Sequence, residues 1–128
     1  MNNQDTLLKL TKSLLDSIVN GDWAAYSELC DPSLTCFEPE ALGQLVEGMD
    51  FHCFYFELEK SPGCKVQTTL ASPQVRIMGD SAIVCYVRLT QSTDSSGVPS
   101  TRAVEETRVW HQQNGKWKHV HFHRSPVG

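Results

Sequence analysis

The sequence predicts an α+β fold, with helices laid on one face of a strongly curved antiparallel sheet. Three observations predict it. Helix-period apolar residues with capping residues at both ends open the chain. Four stretches rich in Val, Ile, Thr and aromatics fill the second half. Gly-Asp and Asn-Gly pairs separate two couples of those stretches, as tight hairpins require. At 128 residues the chain reads as one domain, 1–128, with enough length for a single core.

The first helix spans about Gln4 to Asn20. Leu7, Leu8, Leu14, Leu15, Ile18 and Val19 recur on one face, with Asn3 or Asp5 to cap the start and Gly21 to end it. Asp22 caps a short second helix bearing Trp23, Tyr26 and Leu29, which Asp31-Pro32 closes. Ser33–Glu38 reads as extended, as does Leu42–Val46. A third helix covers Met49–Glu59, with apolar residues around most of its axis. A surface helix needs only one apolar stripe, so this helix is expected to touch apolar material on two sides. Phe51, Phe54, Tyr55 and Phe56 are therefore candidates for contact with another chain. Strands follow at Val66–Met78, Ala82–Ser92, Thr101–His111 and Lys116–Arg124, with turns at Gly79-Asp80 and Asn114-Gly115.

Composition excludes several classes. Apolar residues are 40% and charged residues 20%, which is globular and not disordered composition. No apolar run is long enough for a membrane helix, and no secretory leader opens the chain. Eleven basic against fifteen acidic residues give a net charge of −4, against a nucleic-acid partner. The five cysteines form no C-x-x-C pair and lie in apolar runs, so free thiols of a reducing, cytoplasmic setting are expected. They supply no ligand cluster for zinc, and no metal or cofactor is expected. His119, His121 and His123 alternate on the last strand and are expected on its polar outer face. No nucleophile elbow, phosphate loop or H-E-x-x-H occurs.

Strand alternation singles out three arginines. Arg88 shares a face with Tyr86 and Val84, Arg108 with Trp110, Glu106 and Val104, and Arg124 with Phe122 and Val120. If those faces line the concave side of a bent sheet, three guanidinium groups converge on one hollow and attract an anion. The alternative is that each pairs with its own carboxylate, Glu105 or Glu106 for instance, or reaches water. His52, with Asp50 close in sequence, and Tyr26 and Glu38 are the remaining candidates for acid–base chemistry.

The strings FEPEALG, EGMDFH, EETRVWH and HVHFHR, within a match from about residue 4 to residue 125, closely resemble the association (hub) domain of Ca²⁺/calmodulin-dependent protein kinase II. The resemblance implies a nuclear-transport-factor-2-like cone, a long N-terminal helix in the cup of the sheet. It implies assembly instead of catalysis. Dimers would close into a two-layered homo-oligomeric ring of about twelve to fourteen subunits. Kinase domains would be clustered by the ring. Carried over by position, the family's cleft becomes Arg88, Arg108, Arg124, His52 and Tyr26, suited to a small carboxylate or to a regulatory segment of the kinase.

This chain departs from the family at Cys53, where a basic residue is usual. It also departs in segment 57–66, where a cleft-flanking tryptophan is replaced by Lys60 or a gap. The second reading is a small cone-fold enzyme of isomerase, dehydratase or hydrolase type using the same cleft, since a shared fold does not fix a function.

Overall fold

The computed structural model describes residues 2–58 and 65–127. Helix α1 runs Asn3–Asn20. Its N-cap is Asn2, whose side chain accepts from the Asp5 backbone N–H; the expected caps Asn3 and Asp5 lie inside the helix. Gly21 ends it in the left-handed conformation at φ 65° and donates its N–H back to the last turn, as the sequence required. Leu7, Thr11, Leu14 and Leu15 are fully buried on one face, against the sheet. Asp22 caps α2 (Trp23–Leu29) by accepting from Ala25 N–H.

Strand β1 runs Cys30–Phe37, longer at its start than expected. A 3₁₀ turn at Pro39–Ala41 and the two-residue strand β2 (Val46–Glu47) replace the extended piece expected at Leu42–Val46. Helix α3 covers Asp50–Phe56, shorter than the expected Met49–Glu59: Met49 and Glu57 are its caps, Leu58 lies in a bend, and Glu59 lies outside the described residues. Strands β3 (Val66–Met78), β4 (Ser81–Thr93), β5 (Pro99–Gln113) and β6 (Lys116–Pro126) fall where alternation placed them. Asn114 at φ 51° and Gly115 at φ 81° form the β5–β6 turn.

The sheet order is β2-β1-β6-β5-β4-β3. The β3–β6 meander is antiparallel throughout, while β1 joins β6 in parallel and pairs with β2 antiparallel. Two bulges bend it. In β3 the register slips between Ala71 and Gln74, around Ser72 at φ 51° and Pro73. In β6, Trp110 faces His119 and Val109 faces His121, which leaves Val120 as an extra residue.

The β6 bulge corrects the parity expected for that strand. His119 does not share the outer face with His121 and His123. It is 0% exposed in the core, its ring stacked on Phe122 at 5.5 Å. His121 and His123 stay on the other side, where His121 Nδ1 lies 2.7 Å from the Thr35 hydroxyl. A bulge shifts alternation by one residue, so parity counted back from Arg124 fails beyond Val120.

Candidate functional site

Arg88 of β4, Arg108 of β5 and Arg124 of β6 converge on the concave face, in a cavity of about 190 Å³ whose lining also includes Tyr26, His52, Glu38 and Glu40. The strand positions explain the convergence. Tyr86 sits across from Glu106, and Glu106 across from Arg124, so one row of inward side chains crosses three strands. All five residues expected in a cleft therefore lie around one hollow.

The arginines are not bare charges. Glu106, with its side chain 0% exposed, lies 3.0 Å from Arg108 Nη2 and 3.1 Å from Arg88 Nη2, and 3.6 Å from Arg124 Nε. Arg124 Nη1 donates to Glu38 at 3.1 Å and to both oxygens of Glu40 at 2.8 Å. Three carboxylates thus face three guanidinium groups, which corrects the expectation of a simply positive pocket. Convergence and pairing, set against each other as alternatives, both hold. Pairing is what lets Arg108 remain charged at 1% exposure.

Burial sets the protonation states. It pushes the Glu106 carboxyl up, but Arg108, Arg88 and the Tyr86 hydroxyl more than offset it and hold the group below the usual carboxylate range. Burial raises Glu38, helped by the neighbouring Glu40 charge and opposed by Arg124. Burial lowers His52 to about 4, assisted by Arg108, so its imidazole is neutral at pH 7. Tyr86 donates to Glu106 at 2.6 Å and accepts from Arg108 Nε at 2.8 Å; burial pushes its phenol up to about 12. Arg108 lies 4.5 Å over the Phe122 ring and 3.4 Å from His119 Nε2.

Some polar atoms remain without partners. Arg88 Nε, Arg124 Nε and Glu38 Oε1 are buried and make no hydrogen bond. Two guanidinium nitrogens are thereby left without a hydrogen-bond acceptor, Arg124 Nε facing Glu106 at 3.6 Å. Tyr26 is buried beside Trp23, Phe56 and His52, at centroid distances of 5.8, 4.9 and 6.3 Å.

Tyr86, Glu40 and His119 were missed as site residues. Tyr86 was legible, sharing its strand face with Arg88. Glu40 belongs to a 3₁₀ turn without a periodic signal, and His119 was hidden by the bulge.

The aromatic helix divides in two. Phe51 and Phe56 pack on the chain's own core, Phe56 edge-on to Trp23 at 5.1 Å. Phe54 and Tyr55 are 58% and 42% exposed, and Leu58 after the helix is 54% exposed. Cys30, Cys36, Cys53 and Cys85 are free thiols, while Cys64, Lys60 and most of the divergent segment 57–66 lie outside the described residues. Cys36, however, does come together with other ligand-type side chains, Glu38 and His52.

The family model described as the calcium/calmodulin dependent protein kinase II association domain matches residues 3–128. The delta subunit of calcium/calmodulin-dependent protein kinase type II from Oryctolagus cuniculus is 55% identical over 121 residues, 93% of this chain and 23% of that protein. The chain thus spans under a quarter of that relative's length. The kinase II hub homology domain of Chlamydomonas reinhardtii superimposes with a TM-score of 0.93 at 48% identity, covering 99% of this chain and all of that one. The association domain of the Caenorhabditis elegans kinase follows at 0.90 and 47%, covering 95% and 94% of the two chains. Nuclear-transport-factor-2-like proteins from Cytophaga hutchinsonii and Streptomyces avermitilis match at TM-scores of 0.79 and 0.78 with 20% and 19% identity, which shows the cone fold alone.

Proposed function

The chain belongs to the calcium/calmodulin dependent protein kinase II association domain family, and from that premise we propose that residues 1–128 form one hub that assembles into a closed ring. Isologous contacts would make dimers, and a second contact would propagate them into two stacked layers of about twelve to fourteen subunits. The observation that carries this reading is apolar: in a chain of this family, Phe54, Tyr55 and Leu58 stand in water around the end of α3. Large aromatics of that kind anchor interfaces when covered. Phe51 and Phe56 hold the helix against its own core and would act on the contact only through Phe54 and Tyr55. Kinase domains joined to such a ring would meet at high effective concentration, favouring reaction between neighbours. Among the described residues no helix is long and apolar enough to cross a membrane. The free thiols among the described residues support a reducing, cytoplasmic setting for the assembly.

Native mass spectrometry at about micromolar protein tests the assembly. A particle of at least about ten chains is expected. A stable monomer overturns the scaffold reading.

The cleft would bind a small carboxylate, or an acidic side chain of a regulatory segment. Its 190 Å³ is below the range for drug-sized ligands, and Arg88 Nε and Arg124 Nε are spare donors. Alanine at Arg88, Arg108 or Arg124 should weaken binding of a short aliphatic carboxylate by about 2–5 kcal/mol. Unchanged affinity in all three variants removes the ligand site.

The enzyme reading is favoured by one observation, the unpartnered Glu38 Oε1 beside His52 and Tyr26. Turnover of ketosteroid, epoxide or thioester substrates that is lost in Tyr26→Phe would support it. Absence of turnover in the native assembly excludes it for those substrates.

A further inference from the structure

From the placement of Cys36, Glu38 and His52, we infer that this chain holds a zinc-type divalent cation at the inner wall of the cleft. The site is built by two elements. Cys36 lies on β1 on the face that buries Leu34, and Glu38, one residue past the strand's end, continues the extended backbone, so both side chains are buried inward. Helix α3 crosses that point and delivers His52. Its Nε2 lies 3.8 Å from Cys36 Sγ and its Nδ1 lies 3.6 Å from Glu38 Oε1, and one of these two nitrogens would be the ligand. One ligand atom from each of the three residues falls within 4.8 Å of the other two.

A tetrahedral zinc ion with a sulfur ligand at about 2.3 Å and nitrogen or oxygen ligands at about 2.0–2.1 Å separates its donors by about 3.5 Å. With the present donors as far as 4.8 Å apart, closing the triangle takes side-chain shifts of somewhat more than an ångström. Soft sulfur, imidazole and carboxylate together suit zinc over magnesium or calcium.

A second observation concerns the Glu38 oxygen that faces this cluster. The Glu38 side chain is 6% exposed and its Oε1 has no hydrogen-bond partner, although Oε2 is held by Arg124. A buried carboxylate oxygen without a donor is costly, and a cation beside it removes the cost. Arg124 then acts from the outer side, fixing the carboxylate so that Oε1 alone faces the metal.

Charge balance permits a cation among arginines. Binding converts the Cys36 thiol to a thiolate and releases one proton to solvent. The site goes from one negative charge to formal neutrality, so Arg108 and Arg124 meet one added positive charge but no net cation. Glu38 and His52 both line the cavity, which leaves a fourth position open toward the cleft for water or for the carboxylate of a ligand.

The test uses the intact assembled chain, stripped with a chelator and titrated with zinc, and in parallel with cobalt(II). Expected are one metal per chain, one proton released per zinc, and a thiolate-to-cobalt charge-transfer band with tetrahedral d–d absorption. Cys36→Ala should abolish the band and weaken zinc binding by more than the ~100-fold that loss of an outer partner costs. Cys53→Ala should leave both unchanged. The inference is overturned if wild-type protein binds less than one metal per chain. It is equally overturned if the charge-transfer band is absent from the wild type, a result that does not depend on any variant folding. Band and affinity surviving in Cys36→Ala would also sink it.

Discussion

Replacing Glu106 by Gln removes one charge at the centre of the cleft while keeping its shape. Gln can still accept from the Tyr86 hydroxyl, so what is lost is the anion between Arg108 and Arg88, at 3.0 and 3.1 Å. Arg108 is 1% exposed and cannot recover hydration. Breaking a buried pair by removing one partner costs about 3–5 kcal/mol, since the remaining charge stays in the interior. Glu38 and Glu40 offset little of it, because both already serve Arg124. Urea unfolding at fixed protomer concentration measures the loss, as assembly makes stability concentration-dependent. With a slope of about 1.5 kcal/mol/M, a loss of 3 kcal/mol moves the midpoint down by about 2 M. Glu105→Gln is the control, on the exposed face one residue away, and should stay within about 0.5 kcal/mol of the parent. A Glu106→Gln midpoint within about 0.3 M of the parent would refute the claim that this carboxylate holds the arginines in place.

Three further outcomes are expected. Phe54→Asp puts a charge on an exposed aromatic and should leave the monomer fold intact by circular dichroism while shifting the native mass distribution to smaller species; an unchanged distribution would exclude Phe54 from the contact. His119 is buried and its pKa is held well below the usual value by burial first and Arg108 second. Below about pH 6.5 the unfolded chain takes up a proton that the folded chain refuses, so stability falls by up to about 1.4 kcal/mol per pH unit until the folded-state pKa is reached. His119→Gln should flatten that slope in urea titrations between pH 6.5 and 5, and an unaltered slope would assign it elsewhere. Asn2→Ala removes the side-chain cap of α1 and should cost about 1 kcal/mol; hydrogen exchange at Asp5 N–H reports it locally.

Much of the cup was legible because period-two patterning is strong where one face is buried. Arg88, Arg108 and Arg124 could be placed on the concave side from their neighbours Tyr86, Trp110 and Phe122 alone. Alternation carries no information about a residue inserted within a strand, so it puts His119 on the wrong side of β6. Pairing could not be resolved either. Whether Glu106 meets an arginine depends on which strands are adjacent, and adjacency is a tertiary fact. The Cys36–Glu38–His52 cluster stayed hidden for a similar reason, since His52 arrives from a helix fourteen residues beyond Glu38. On α3, apolar residues around the axis predict apolar contact on two sides; in the single chain one side meets the core and the other, with Phe54 and Tyr55, is exposed. Only packing against Trp23 and Tyr26 distinguished Phe56 from Phe54.

The contact of Arg124 with Glu40 has a consequence for any acid that enters the cleft. Glu40 is a resident rival, tethered by a short turn and therefore present at roughly millimolar local strength. A newcomer does not fill a vacancy; it must evict this occupant and exchange one ion pair for another. Weak monovalent acids gain little from such a trade. Guests that also engage the spare Arg88 donor hold two anchors where Glu40 holds one, so selectivity among acids is set by how many arginines each can grip at once.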